Sequence, residues 1–273
     1  MRLARFIPPV LMVILTAFVT PNSLAQLPPL KAQKAKPAEV ILIASAANFS
    51  MAMKQLIAEF ESQHNNAGRV KASYGSSGKI YAQIKHGAPF QLFFSADQEK
   101  PQALFNSGLT VGKPITYAVG ALALWSNNAE FKQREQQKLQ TGQFNKLALA
   151  NPKLAPYGAA ALEVLESLNL ISTTRSKWVL GENVAQAYQF VASGNAELGF
   201  IALSQVIHNS HNDDYWALPR HLYKPIKQDL VVLKRGEHSQ LVNAFLAFIK
   251  SDQGQRIIHS HGYTSLDTKE PSQ

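Results

Sequence analysis

Residues 70–97 read VKASYGSSGKIYAQIKHGAPFQLFFSAD. Val70 to Tyr74 has the composition of a strand, and Gly75-Ser76-Ser77-Gly78 is a turn of small residues. Lys79 to His86 follows as a helix closed by Gly87, and Leu92 to Ser95 as a second strand, with Asp97 placed to cap the helix after it. A strand, a helix and another strand joined in this way form a unit whose strands run parallel.

The same alternation extends in both directions. Val40 to Ser45 (VILIAS) is a nearly continuous apolar run, the pattern of a buried strand. A helix follows in which Met53, Leu56, Ile57 and Phe60 share one face. Downstream, a long extended run from Tyr117 to Trp125 follows Pro114, and Glu130 to Gln143 is a polar insertion. Strands are then expected at Leu147–Ala150, Trp178–Leu180, Leu198–Leu203 and Asp229–Leu233. Helices are expected at 158–168, 185–193, 240–250 and 253–259. The fold class is therefore α/β. The extended run near Tyr117 and the return near Pro225 read as two crossovers between lobes, the first made of residues 39–116 plus 226–268 and the second of residues 117–225.

The N-terminus reads as an address. Arg2 and Arg5 precede an apolar core, Val10 to Val19, too short for a bilayer span of about 20 residues. Pro21 and Asn22 break it, and Ser23-Leu24-Ala25 is a small-x-small cleavage site, so residues 1–25 are expected to be a signal peptide. No cysteine follows it for a lipid anchor. Residues 26–38, rich in Pro and Lys, are expected to be a tether. The chain has no cysteine, which removes thiolate catalysis and cysteine-ligated metal. The formal charge of +9 falls to about +7 without Arg2 and Arg5. The positive residues are scattered, with no basic stripe interleaved with aromatics, so no nucleic-acid partner is expected and attraction of small anions fits better.

Four strand–turn–helix junctions recur: Ala46-Ala47-Asn48, Gly75 to Gly78, Ala155-Pro156-Tyr157-Gly158 and Glu182-Asn183-Val184. Taken singly, each is an ordinary helix cap. Helix N-termini beyond the carboxyl ends of strands also carry unpaired N–H groups and partial positive charge, which favour an anion. Two junctions fall in each expected lobe. They offer the Asn48 amide, the Ser77 hydroxyl and the main chain at Ala47, Tyr157 and Val184, donors without formal charge. Hydrogen bonds to a charged group contribute roughly 1.5–3 kcal/mol each. Five of them, less the cost of association, give affinity of roughly micromolar to nanomolar order.

Other patterns carry less. Ser76-x-x-Lys79 matches S-x-x-K but lacks the companion S-D-N and K-T-G elements of serine acyltransferases. Gly78-Lys79 lacks the Ser or Thr of a phosphate-binding loop. The pairs His208/His211 and His259/His261 are expected in solvated loops rather than at a metal.

Six segments in this order, ASAANFSMAM (44–53), the block 74–97, YAVGALALWS (117–126), NPKLAPYG (151–158), GENVAQA (181–187) and ELGFIALSQ (197–205), resemble the molybdate-binding proteins of bacterial molybdate ABC transporters, the ModA family. The match spans about Glu39 to Thr264. The resemblance implies a two-lobed class II periplasmic-binding-protein fold, each lobe a mixed sheet flanked by helices, with the oxyanion in the interlobe cleft. It implies molybdate or tungstate as ligand. Another tetrahedral oxyanion such as sulfate or phosphate is the alternative within the class, and the S-x-x-K pattern leaves an exported serine hydrolase using Ser77 as the competing class. The resemblance also implies a membrane permease as partner, a periplasmic location, a monomer, no cofactor and no direct protein–metal ligand. The ligand-contacting positions carry over to Ala47, Asn48, Ser77, Tyr157 and Val184. Two positions depart from some relatives: Ala47-Asn48 replaces a hydroxyl-bearing loop, and Ala202 replaces a tyrosine.

Overall fold

The computed structural model describes residues 39–64, 68–131, 134–208 and 215–265. The expected signal peptide, the whole tether, His211 and residues 266–268 lie outside them. Two five-stranded sheets form the frame. The first contains β1 (Val40–Ala46), β2 (Arg69–Gly75), β3 (Leu92–Phe94), β4 (Thr110–Gly120) and, far along the chain, a returning strand at Ile226–Leu233. The second contains β5 (Leu122–Trp125), β6 (Leu147–Ala150), β7 (Trp178–Gly181), β8 (Leu198–Ala202) and β9 (Tyr215–Ala217), so the returning strand is β10. Strand order is β2-β1-β3-β10-β4 in the first sheet and β7-β6-β8-β5-β9 in the second.

Both sheets are mixed in the same way. β1 lies parallel to β2 and β3, and β6 parallel to β7 and β8, while β10 and β5 run antiparallel to their neighbours. Helices cover both faces, which is why the central strands are apolar without alternation. Successive side chains point to opposite faces. Ile43 and Phe94 therefore pack with Met53, Phe60 and Phe245, from α1 (Ser50–Gln63) and a helix at Gln240–Lys250. Their neighbours Ala44 and Phe93 pack with Ile80, Ile84 and Leu104, from α2 (Ser77–Lys85) and α3 (Glu99–Asn106). In the second sheet Leu147 and Leu149 meet a helix at Pro156–Ser167, whereas Ala148 meets one at Val184–Ala192. Each fully buried Leu, Ile or Phe contributes roughly 1.5–3 kcal/mol, so the two cores stabilise two separate platforms.

The helices are numbered along the chain: α4 (Glu135–Thr141), α5 (Pro156–Ser167), α6 (Ile171–Thr174), α7 (Val184–Ala192), α8 (Gln240–Lys250) and α9 (Asp252–Ser260). Several differ from the reading of the sequence. The run from Tyr117 to Trp125 is two strands, because the chain leaves one sheet for the other at Ala121, whose carbonyl accepts from Leu203. β4 also starts earlier and passes through Pro114, which an edge strand tolerates. The polar insertion holds α4, closed by Gly142 with φ +67°. α5 begins at Pro156 rather than Gly158, since proline suits the first helical position. Asp97 caps as expected, accepting from Lys100 N–H at 2.9 Å.

Candidate anion-binding site

All four junctions meet at one small pocket. It is lined by Ala46, Ala47 and Asn48 after β1, by Gly75 and Ser76 after β2, and by Ala96 after β3. From the second sheet come Ala155, Pro156 and Tyr157 at the start of α5, and Asn183 and Val184 at the start of α7. The centre of a water molecule can range over only about 10 Å³ of it. No Asp, Glu, Lys, Arg or His lines it.

The geometry follows from local rules. The first N–H groups of a helix have no partner inside it. In α7, Asn183 Oδ1 accepts from Ala185 and Gln186 at 3.0 and 3.1 Å, and the intrahelical ladder gives the N–H of Val184, a pocket-lining residue, no acceptor. In α5, Pro156 has no N–H, so Tyr157 presents the first one. In α2, Ser76 is the N-cap and its hydroxyl accepts from Lys79 N–H at 3.4 Å. The short 3₁₀ turn Ala47–Phe49 provides the fourth terminus. Partial positive charge from these termini converges from both lobes.

Of the five residues picked from the sequence, Ala47, Asn48, Tyr157 and Val184 line the pocket. Ser77 stands just behind its neighbour Ser76. It is 1% exposed, and its Oγ accepts from Ala96 N–H at 2.9 Å, tying α2 to the end of β3. The side chains of Asn48 and Tyr157 meet in a buried polar cluster. Asn48 Nδ2 donates to Gln228 Oε1 at 2.8 Å and Tyr263 Oη at 3.0 Å, and lies 3.4 Å from Tyr157 Oη. The Asn48 carbonyl accepts from Tyr263 Oη at 2.7 Å and Ser204 Oγ at 2.9 Å. Burial pushes the hydroxyls of Tyr157 and Tyr117 well above the usual tyrosine range and raises that of Tyr263, so all three stay neutral. Within the cluster the Tyr157 hydroxyl accepts from Gln228 Nε2 at 3.3 Å.

Contacts between the lobes close over the pocket. Gly78 N–H donates to Leu154 O at 3.0 Å, and Lys79 Nζ meets Glu182 Oε1 at 2.9 Å. A wider groove beside it shares Ala96, Ala155 and Pro156 and carries Lys100, Lys153, Lys224 and Lys227 among Asp97, Glu99 and Glu163.

The family of bacterial extracellular solute-binding proteins matches residues 41–264. The chain is 43% identical over 226 residues to the molybdate-binding protein ModA of Azotobacter vinelandii, covering 82% of this chain and 89% of that one. It is 41% identical to ModA of Rhodobacter capsulatus, covering 82% and 88%. The chain belongs to the ModA family of bacterial extracellular solute-binding proteins. The solved periplasmic molybdate-binding protein of A. vinelandii superposes with a TM-score of 0.76 at 35% identity, covering 82% of this chain and 99% of that one. The α/β architecture of two mixed sheets is thus the fold of the ModA family.

Within this ModA-family framework, the sequence left Gln228, Tyr263 and Ser204 unremarked, because they come from three distant segments that meet only in the folded chain. The histidine reading needs correction. His261 is 4% exposed; its Nε2 lies 2.8 Å from Gln55 Oε1 and its Nδ1 3.1 Å from His208 Nε2. Of these paired histidines, among the described residues, His208 and His259 are exposed. Among the described residues no group of three or more metal-ligating side chains occurs, and no helix is long and apolar enough to cross a membrane.

Proposed function

We propose that this chain captures molybdate or tungstate between its lobes and passes it to the membrane permease of an ABC importer, without chemistry on the ion. The convergence of four helix N-termini, two from each lobe, on a pocket without charged side chains carries this reading. Oriented dipoles on both sides of a small cavity suit a compact dianion with acceptors at every vertex. The names of the relatives point to the same ion. The donors are the main chain at Ala47, Asn48, Tyr157 and Val184, together with the Ser76–Ser77 turn. Sulfate has the same charge and shape with shorter bonds. Protonated phosphate needs an acceptor for its proton, and the pocket offers no carboxylate.

The lobes are taken as residues 39–120 with 226–268 and 121–225, the first boundary four residues later than the sequence reading of 116/117 because β4 runs through Gly120 in the first sheet. The grouping of β1–β4 and β10 against β5–β9 supports this division with hinges near Ala121 and Pro225. Export by a signal peptide cleaved after Ala25, a periplasmic location and a monomeric state complete the proposal. The hydrolase reading finds no support at Ser77, whose Oγ is engaged by Ala96 N–H, nor at Lys79, which faces Glu182.

Isothermal titration calorimetry with molybdate, tungstate, sulfate and phosphate at equal ionic strength tests the reading. Tight one-to-one binding of the first two is expected. Preference for sulfate or phosphate discards the ligand, and silence with all four discards the site.

A further inference from the structure

The carboxamide of Gln228 lies directly behind the pocket and touches both lobes. Gln228 is on β10 and is 0% exposed. Its Oε1 accepts from Asn48 Nδ2 at 2.8 Å and from Tyr117 Oη at 3.0 Å; its Nε2 donates to Tyr157 Oη at 3.3 Å. Asn48 and Tyr117 belong to elements of the first sheet, and Tyr157 opens α5 against the second. One planar group thus turns its acceptor to one lobe and its donor to the other.

Two backbone features place it there. The β10–β4 register slips between Gln228, opposite Ala118, and Asp229, opposite Thr116, leaving Tyr117 as the extra residue. Such a bulge re-aims side chains. Gly120 leaves the space, since a Cβ there would stand 2.1 Å from Tyr157 Oη and 2.5 Å from Gln228 Nε2.

We propose that Gln228 is a positioning residue that fixes the distance between the two half-sites and thereby selects molybdate over the smaller sulfate. This rests on the oxyanion-binding function proposed above. Tetrahedral dianions differ in bond length, while the pocket's main-chain donors cannot adjust by rotating a side chain. The fit is therefore set by how far apart the lobes are held. Lys79–Glu182, Gly78–Leu154 and Ser204–Asn48 also cross between the lobes but do not join two pocket-lining residues, and the direct approach of Asn48 Nδ2 to Tyr157 Oη is long at 3.4 Å. Gln228 bridges Asn48 and Tyr157 at 2.8 and 3.3 Å, within a neutral cluster shielded from water, where hydrogen bonds hold their geometry best.

Calorimetry on the full chain with molybdate and sulfate, comparing wild type, Gln228→Met, Tyr157→Phe and the double variant, tests this. Each single variant is expected to lose tenfold or more in molybdate affinity with a smaller loss for sulfate, narrowing the ratio. The double variant should lose little more than the worse single. An unchanged ratio in a variant that folds, whether affinity stays or falls equally for both ions, overturns the proposal. Tyr157→Phe keeps the ring and carries the test alone should Gln228→Met not fold. Wild type binding neither ion overturns the function itself, whereas wild type binding with an unmoved ratio overturns only the role of Gln228.

Discussion

Gly78 donates its main-chain N–H to the carbonyl of Leu154 at 3.0 Å, so the first turn of α2 in one lobe is bonded by backbone to the loop before α5 in the other. A Cβ on Gly78 would stand 2.9 Å from that carbonyl oxygen, a contact tight enough to force the backbones apart. Gly78→Val should therefore hold the cleft ajar. Oxyanion affinity is expected to fall tenfold or more, while small-angle scattering with saturating ligand shows a larger radius of gyration than wild type. A variant that closes normally would show that the contact does not govern closure.

The Lys79–Glu182 pair crosses the same cleft at its rim, with side chains 52% and 42% exposed. Solvent-exposed pairs contribute about 0.2–1 kcal/mol and are screened by salt. Lys79→Ala should weaken oxyanion binding by no more than about fivefold, and titrations at high ionic strength should show no difference from wild type.

Ser77→Ala acts on both fold and site. It leaves the buried Ala96 N–H without its acceptor, a loss of about 1–3 kcal/mol. Chemical denaturation should report a loss of that order with the fold retained, and calorimetry a weaker oxyanion. Undiminished affinity would remove Ser77 from the support of the pocket.

His261 gives the protein a dependence on pH. Burial, and then the facing His208, lower its pKa from 6.5 to about 4. Donation from Nε2 to Gln55 Oε1 leaves Nδ1 to accept from His208, so a proton on Nδ1 would break the contact. The folded state binds fewer protons than the unfolded chain between about pH 4 and 6.5. Stability from this group is complete above pH 6.5 and declines as pH falls toward 4, by at most about 1.4 kcal/mol per pH unit. His261→Asn should flatten that slope in denaturant midpoints measured from pH 7 to 4.5; an unchanged slope would assign the effect elsewhere.

The fold was legible where burial speaks through local pattern. VILIAS and LFFS are apolar on both faces because helices cover both faces, and Asp97 and Asn183 cap where caps were expected. The four junctions were legible because helix starts leave a mark in sequence. Sequence could not show which way a side chain turns. The Asn48 amide was read as a donor to the ligand, and its Nδ2 is engaged instead by Gln228 and Tyr263, which are remote in the chain. The break at Ala121 was hidden because an extended chain looks the same whether it stays in one sheet or passes to the next.

A pocket built from amide N–H and neutral hydroxyl groups has nothing in it that titrates near neutrality. Capture of a dianion therefore exchanges no protons with the solvent, and the complex carries the ion's whole charge into its handover. The heat of binding should be the same in buffers of different ionisation enthalpy, and the affinity level from pH 7 to pH 9, so such a receptor loads equally well whatever the alkalinity of its surroundings.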